Sequence, residues 1–171
     1  DLYPTNYCSF EDMRGYCYKV ASTVGLALIE IYGYENPDAR EHAEEMGIFL
    51  QMVNILRDIP SDLSIGRCYI PKDRLSEYVL SPSDLLNPDS MGSFRALYSA
   101  YLDLTCEHLD YAEEYISIIP RKYRSLRLSC LLPVVIGRRT IALLRDKNVL
   151  NPGKPIKIGR RSIGLILFQC K

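Results

Sequence analysis

The sequence predicts an all-α fold, and three observations carry that prediction. Apolar residues recur at helical spacing through long stretches, most clearly across residues 10 to 32 and 37 to 60. Proline and glycine gather between the stretches, at Gly33 and Pro37, then at Gly66, Pro71, Pro82 and Pro88, and again at Pro152, Gly153 and Pro155. No segment alternates apolar and polar residues as a half-buried strand does, and there is no internal repeat or low-complexity tract. With 171 residues, 47% of them hydrophobic, residues 1–171 are expected to form one domain with a real core.

The first helix is expected from about Phe10 to Tyr32. Ser9 followed by Asp12 makes a capping-box-like start, with Asp in place of the usual Glu or Gln, and Gly33 with Pro37 closes it. On this helix Tyr16, Val20, Thr23, Ala27 and Ile31 form one stripe, readable from its spacing as plain core. The second helix is expected from Pro37, a good first-turn residue, to near Pro60, where the missing N–H predicts a kink or an end. Leu63 to Leu86 reads as a loop with short helical pieces. A third helix is expected from about Ser90 to Ile119, a fourth from about Lys122 to Asp146 with a kink at Pro133, and a last from about Lys157 to Gln169.

The second helix carries the chemistry. At about 100° per residue, Gln51, Asn54, Asp58 and Asp62 share one narrow stripe. Met46, Phe49, Leu50, Val53 and Leu56 cover the opposite face, and Ile48, Met52, Ile55 and Ile59 run beside the stripe. A helix so apolar is expected to be buried. An isolated Asp-x-x-x-Asp usually means two solvated carboxylates near a helix end, but ionised groups in apolar surroundings need a partner. Two carboxylates one turn apart, with an amide oxygen one turn earlier, suit a hard cation; Mg²⁺ keeps positions open for water and phosphate oxygens. That points to a phosphorylated substrate.

Composition narrows the rest. The net charge of zero hides a division: residues 1–120 hold 8 basic and 20 acidic side chains, residues 121–171 hold 13 basic ones and only Asp146 as an acid. Such a tail invites phosphate groups or an anionic membrane surface. Nucleic acid is disfavoured, because aromatic residues are not interleaved with the basic ones as a stacking platform needs. The six cysteines, Cys8, Cys17, Cys68, Cys106, Cys130 and Cys170, include no Cys-x-x-Cys pair and read as reduced, mostly buried thiols. There is no run of about eighteen apolar residues to predict a membrane-spanning helix; with reduced thiols and a basic tail, the expected location is cytoplasmic, peripheral to the inner face of a membrane. No Gly-rich dinucleotide fingerprint supports NADPH.

The run NILRD, the Asp58/Asp62 spacing and the following GR-x-Y-x-P resemble the second aspartate-rich motif of the squalene and phytoene synthase family. Upstream, YCYKVASTVG from Tyr16 to Gly25 resembles that family's tyrosine-cysteine-tyrosine helix, in the expected order. The likeness is good from about Tyr16 to Leu75, roughly a third of the sequence, and is one of helix pattern through most of the remainder. It implies the isoprenoid (terpenoid) synthase fold, helices around a deep cavity, and Mg²⁺-dependent head-to-head condensation of two farnesyl or geranylgeranyl diphosphates. The product implied is presqualene diphosphate, squalene or phytoene. The resemblance assigns Asn54, Asp58 and Asp62 to the metal, and Arg57, Arg67 and Tyr69 to the neighbourhood of diphosphate. Tyr16, Val20 and Gly25 match residues that line the isoprenoid pocket, and Gln51 joins the substrate-binding stripe.

Departures from the family pattern are Ser22, where glycine is common, and Thr140, where tyrosine is expected. A larger one is the family's other acidic motif, which belongs on an earlier helix; before Asp58 there are only the surface-like Glu11/Asp12, Glu41 and Glu44/Glu45. The chain is therefore expected to be a portion of a transferase, inactive alone, with apolar flanks that an oligomer or missing segment covers. The competing expectation is a non-catalytic helical interaction or assembly protein of the same descent.

Overall fold

The computed structural model describes residues 7–33, 36–151, 153 and 156–159. Helix α1 (Phe10–Cys17) begins with a complete capping box: the Asp12 N–H donates to Ser9 Oγ at 3.1 Å, and the Ser9 N–H donates to the Asp12 carboxylate at 2.9 Å. Aspartate therefore fills the glutamate's part. The expected continuous helix to Tyr32 is interrupted. Residues Tyr18–Ser22 wind as π-helix before α2 (Thr23–Tyr32) resumes. The interruption coincides with a close crossing over the next helix. Ser22 is fully buried, its hydroxyl donates to the Glu44 carbonyl at 2.6 Å, and a Cβ on Gly47 would meet the Ser22 Cα at 2.5 Å. Gly33 ends α2 in the left-handed conformation, φ 59°.

Helix α3 (Pro37–Arg57) starts at the Asn36 side chain, which accepts from the Asp38 N–H at 2.9 Å. It is the central element: α1, the π segment, α2 and two later helices all pack on it. Met46, Ile48, Phe49, Met52, Ile55 and Leu56 are buried there. Burial all round, expected from the apolar sequence, is corrected. Asn54 is exposed, and Gln51, Arg57 and Asp58 are half-buried, so the polar stripe is the helix's open side, where amide and carboxylate keep their hydration. The expected end near Pro60 is corrected too. The helix stops at Arg57; Asp58, at φ −103° and ψ 14°, separates it from α4 (Ile59–Ser64). Pro60 falls in the first turn of α4, where its missing N–H costs nothing, so it starts a helix instead of bending one.

The next stretch holds the short pieces expected: α5 (Lys72–Glu77) and 3₁₀ turns at Asp84–Leu86 and Pro88–Ser90. Helix α5 closes as a Schellman motif, with Leu80 N–H bonded to the Leu75 carbonyl and Val79 N–H to that of Ser76. This places Val79, 93% exposed, at φ 57°, where glycine is usual.

Helix α6 (Met91–Ile118) runs antiparallel to α3. The Tyr98 hydroxyl donates to the Leu56 carbonyl near one end, His108 pairs with Glu45 midway, and His42 meets Glu114 at 3.3 Å near the other. Helix α7 (Arg124–Asp146) returns against both, keeping Pro133 inside it. Gly137 lies under the Phe49 ring, 2.8 Å from where a Cβ would stand. Thr140 is buried, its hydroxyl donating to the Ile136 carbonyl at 2.9 Å. Of the last expected helix, residues 157–159 are not helical; residues 160–169 lie outside the described residues, as does Cys170. No disulfide joins the five described cysteines to one another. No helix among the described residues is long and apolar enough to cross a membrane.

Candidate functional site

The break between α3 and α4 gathers most of the charged residues singled out in the sequence. Asp58 lies there in the sparsely populated bridge region of backbone space. Its N–H donates to the Asn54 carbonyl and its own carbonyl accepts from the Asp62 N–H, both at 2.9 Å, so α4 stays stacked on the break and Asp62 follows one turn on. Arg57 grips both Asp58 oxygens, Nε at 2.9 Å and Nη2 at 2.5 Å. Burial, and then the negative charge of Asp58, push the Asp62 carboxyl above its usual pKa against the pull of Arg67 and Arg57. Two carboxylates thus stand close enough to repel, with two guanidiniums answering them.

The chain then folds back on itself. The Arg67 N–H donates to the Asp62 carbonyl at 2.9 Å, and Asp62, Arg67, Cys68 and Tyr69 line one recess floored by Ile55 and Ile59. Tyr69 is buried under an aromatic cluster. The Tyr16 ring stacks on it at 4.8 Å and the Tyr16 hydroxyl donates to the Tyr69 hydroxyl at 3.2 Å, while Tyr7 lies 5.5 Å from both rings. Burial first, then that bond, raises the Tyr16 phenol far above its usual range, so it remains a neutral donor. Asp58 opens on the other side into a cleft of about 210 Å³. Arg57, Pro60 and Ser61 form its near wall, Val149, Ile156 and Lys157 its far wall.

The other sequence-selected residues lie further off. Gln51 and Asn54 continue the open stripe of α3. Gly25 is buried at the crossing of α2 and α3, where a Cβ would stand 3.2 Å from the Ala43 carbonyl. Val20, Val24, Leu28 and Ile31 are exposed together along the outer face of the π segment and α2, so the stripe beginning at Tyr16 is open and not core. Sequence reasoning missed Tyr7, for which no local pattern exists, and the Val149–Lys157 wall, whose only signal was the basic character of the tail.

Among the described residues no group of three or more His, Cys, Asp or Glu could hold a metal. Asp58, Asp62 and the amide of Asn54 are the oxygen donors nearest the break, a chemistry that suits Mg²⁺, an ion commonly bound through one or two carboxylates and completed by water and phosphate, although Asp58 and Asp62 line different recesses. The repulsion at Asp62 is the charge such an ion relieves. The residues fit, with one condition: the Arg57 fork occupies Asp58 and must turn away.

Comparison with known proteins accords with this geometry. The squalene/phytoene synthase family model matches residues 1–161. The 15-cis-phytoene synthase of Synechococcus elongatus is 35% identical over 68% of this chain and 42% of its own length. The 4,4'-diapophytoene synthase of Staphylococcus haemolyticus is 38% identical over 88% of this chain and 56% of its own. Among solved structures, a squalene synthase from Alicyclobacillus acidocaldarius superposes with a TM-score of 0.77 at 24% identity, over 89% of this chain and 56% of that one. A dehydrosqualene synthase in complex with a ligand gives 0.81 at 23%, over 97% and 58%. The chain spans about half the length of the curated relatives it matches. Its all-helical fold is that of these synthase structures, and the chain belongs to the squalene/phytoene synthase family.

Proposed function

We propose that this chain supplies the second acidic wall of a prenyltransferase that joins two prenyl diphosphates head to head. The observation that carries the reading is the α3–α4 break, which sets Asp58 and Asp62 one helical turn apart beside Arg57, Arg67 and Tyr69. In the reaction, the allylic C–O bond of one substrate breaks, its diphosphate departs, and the carbon bonds to the double bond of the other. Loss of a proton closes a cyclopropylcarbinyl diphosphate. Mg²⁺ held by Asp58, Asp62 and Asn54 would supply positive charge against the departing diphosphate. Arg57, released from Asp58, and Arg67 beside Asp62 are placed to bind phosphate oxygens. The Tyr16–Tyr69–Tyr7 cluster offers π faces and neutral hydroxyls, and the exposed Val20–Ile31 face is suited to prenyl chains and to keeping water away.

The full reaction needs the family's other acidic motif as well, so these residues alone are expected to make no product. A scaffold acting by assembly alone would gain nothing from repelling carboxylates at this break, which favours the enzymatic reading. The test is thermal stabilisation of the chain by Mg²⁺ with farnesyl or geranylgeranyl diphosphate. Stabilisation should need both components and vanish in Asp58→Asn and Asp62→Asn. Stabilisation indifferent to metal and to both substitutions would remove the proposed site; product formed by this chain alone would remove the requirement for a second motif. Peripheral association with an anionic membrane is the partner reading that suits such greasy substrates.

A further inference from the structure

The turn joining α6 to α7 carries charge of one sign only. Residues 116–132 contain Arg121, Lys122, Arg124 and Arg127 and no carboxylate. The nearest acids on α6 are engaged elsewhere, Glu113 with Arg138 and Glu114 with His42. Arg127 donates to the carbonyls of Ser117 and Ile119, closing the end of α6. Lys122 lies over the Tyr123 ring at 4.9 Å, and Arg121, Lys122 and Arg124 are exposed. Between the arginines runs a groove of about 520 Å³ with an apolar floor of Ile116, Leu128 and Leu131.

Position separates this surface from the candidate active site. Because α6 is antiparallel to α3, its end lies beside the start of α3, a helix of 21 residues and therefore about 30 Å long. These cations cannot reach a diphosphate at Asp58. A free phosphate or a nucleic acid has no use for the apolar floor. A phospholipid layer matches both parts, with anionic headgroups for the guanidiniums and acyl chains for Leu128 and Leu131, while a cation over an aromatic ring is a common arrangement at lipid interfaces.

We infer that the α6–α7 turn is the membrane-docking surface of this protein, binding anionic phospholipid with the aspartate end of α3 directed to water. Docking itself does not depend on the proposed chemistry; only its purpose does, namely a hydrocarbon product leaving toward lipid while diphosphate leaves toward solvent.

The test is co-sedimentation of the chain with vesicles of phosphatidylcholine, alone or mixed with phosphatidylserine. Each basic residue at an anionic surface multiplies partitioning roughly five-fold, so Arg121→Gln/Lys122→Gln/Arg124→Gln should lower it about 100-fold. A charge-matched control, Lys19→Gln/Lys72→Gln/Arg74→Gln, should lose far less. The chain contains no tryptophan, so Leu128→Trp gives a single reporter whose emission should shift to the blue on anionic vesicles, while Val79→Trp should not. Equal losses in both triple variants, or equal binding to neutral vesicles, would overturn the assignment. So would abolition of binding by inorganic diphosphate at constant ionic strength, which would make the groove a phosphate site, or a blue shift at Val79→Trp alone.

Discussion

Gly47→Ala tests the account of how the π segment crosses α3. The new methyl would lie 2.5 Å from the Ser22 Cα and 2.6 Å from its N, both backbone atoms that no rotamer change can move. Overpacking of this kind costs about 1–3 kcal/mol. Separating the helices also stretches the Ser22 hydroxyl bond to the Glu44 carbonyl, 2.6 Å long at a fully buried residue, worth about 1–3 kcal/mol when left unmade. Against these stands the gain of about 1 kcal/mol from replacing a mid-helix glycine. The net expectation is a loss of about 2–4 kcal/mol, or roughly 10 °C in melting temperature for a chain of this size. Gly15→Ala is the control, because nothing beyond its chain neighbours and its own helix backbone lies within 4 Å of its Cβ position; it should gain about 0.5–1 kcal/mol. Thermal and urea unfolding followed by circular dichroism measures both. If Gly47→Ala melts within about 2 °C of the parent, the crossing is not the tight contact described.

Val79→Gly should stabilise the chain by about 0.5–1 kcal/mol in the same assay, since it relieves a left-handed β-branched residue at the α5 terminus; unchanged or lower stability would mean that Val79 makes a contact worth its strain. Asp62 binds its proton more tightly folded than unfolded, so its ionised form opposes folding above the raised pKa and the opposition fades as pH falls through it. Asp62→Asn should therefore raise the metal-free stability near neutral pH, by only about 0.5 kcal/mol because the group is largely solvent-screened, and flatten stability against pH in the mildly acidic range. It should also abolish stabilisation by Mg²⁺ with prenyl diphosphate, and a variant that keeps that stabilisation speaks against the metal role. Gly137→Ala should cost about 1–3 kcal/mol by pushing on the buried Phe49 ring, read as a lowered urea midpoint; an unchanged midpoint would show that the ring has room to move.

Local chemistry was legible where it is self-contained. Ser9 with Asp12, Pro37, and Gly33 each mark a helix end through geometry spanning a few residues, so the sequence places those ends correctly. Pro60 signalled a disturbance, but its position depends on which helix claims the proline, and the start of α4 claimed it. That choice moves the break back to Asp58 and gives the candidate site its shape. The π segment was invisible because its cause is tertiary, the meeting of Ser22 with Gly47 across two helices. Tyr7 and Lys157 were illegible for the same reason; each reaches the site from a distant part of the chain. The stripe of Gln51, Asn54 and Asp58 was found, but its exposure was not, since periodicity shows which residues share a side and not whether anything covers it.

The π segment also sets a phase. Met13, Cys17, Gly25 and Ile29 are all buried, and their numbers differ by multiples of four. In an unbroken α-helix each step of four overshoots a full turn by about 40°, so Ile29 would stand about 160° round from Met13, on nearly the opposite side. A π turn closes over one residue more than an α turn and returns about 100° of that drift. One rod can thus keep its small and apolar residues against α3 along its whole length, as a leap day keeps a calendar on its season. Were Tyr18–Ser22 wound as regular α-helix with no residue removed, everything after them would turn by about 100°, carrying Gly25 and Ile29 away from α3. Deleting one residue between Tyr18 and Ser22, by contrast, would restore regular winding with Gly25 and Ile29 still in phase, so the face from Val24 to Ile31 should survive a one-residue deletion there better than a one-residue insertion.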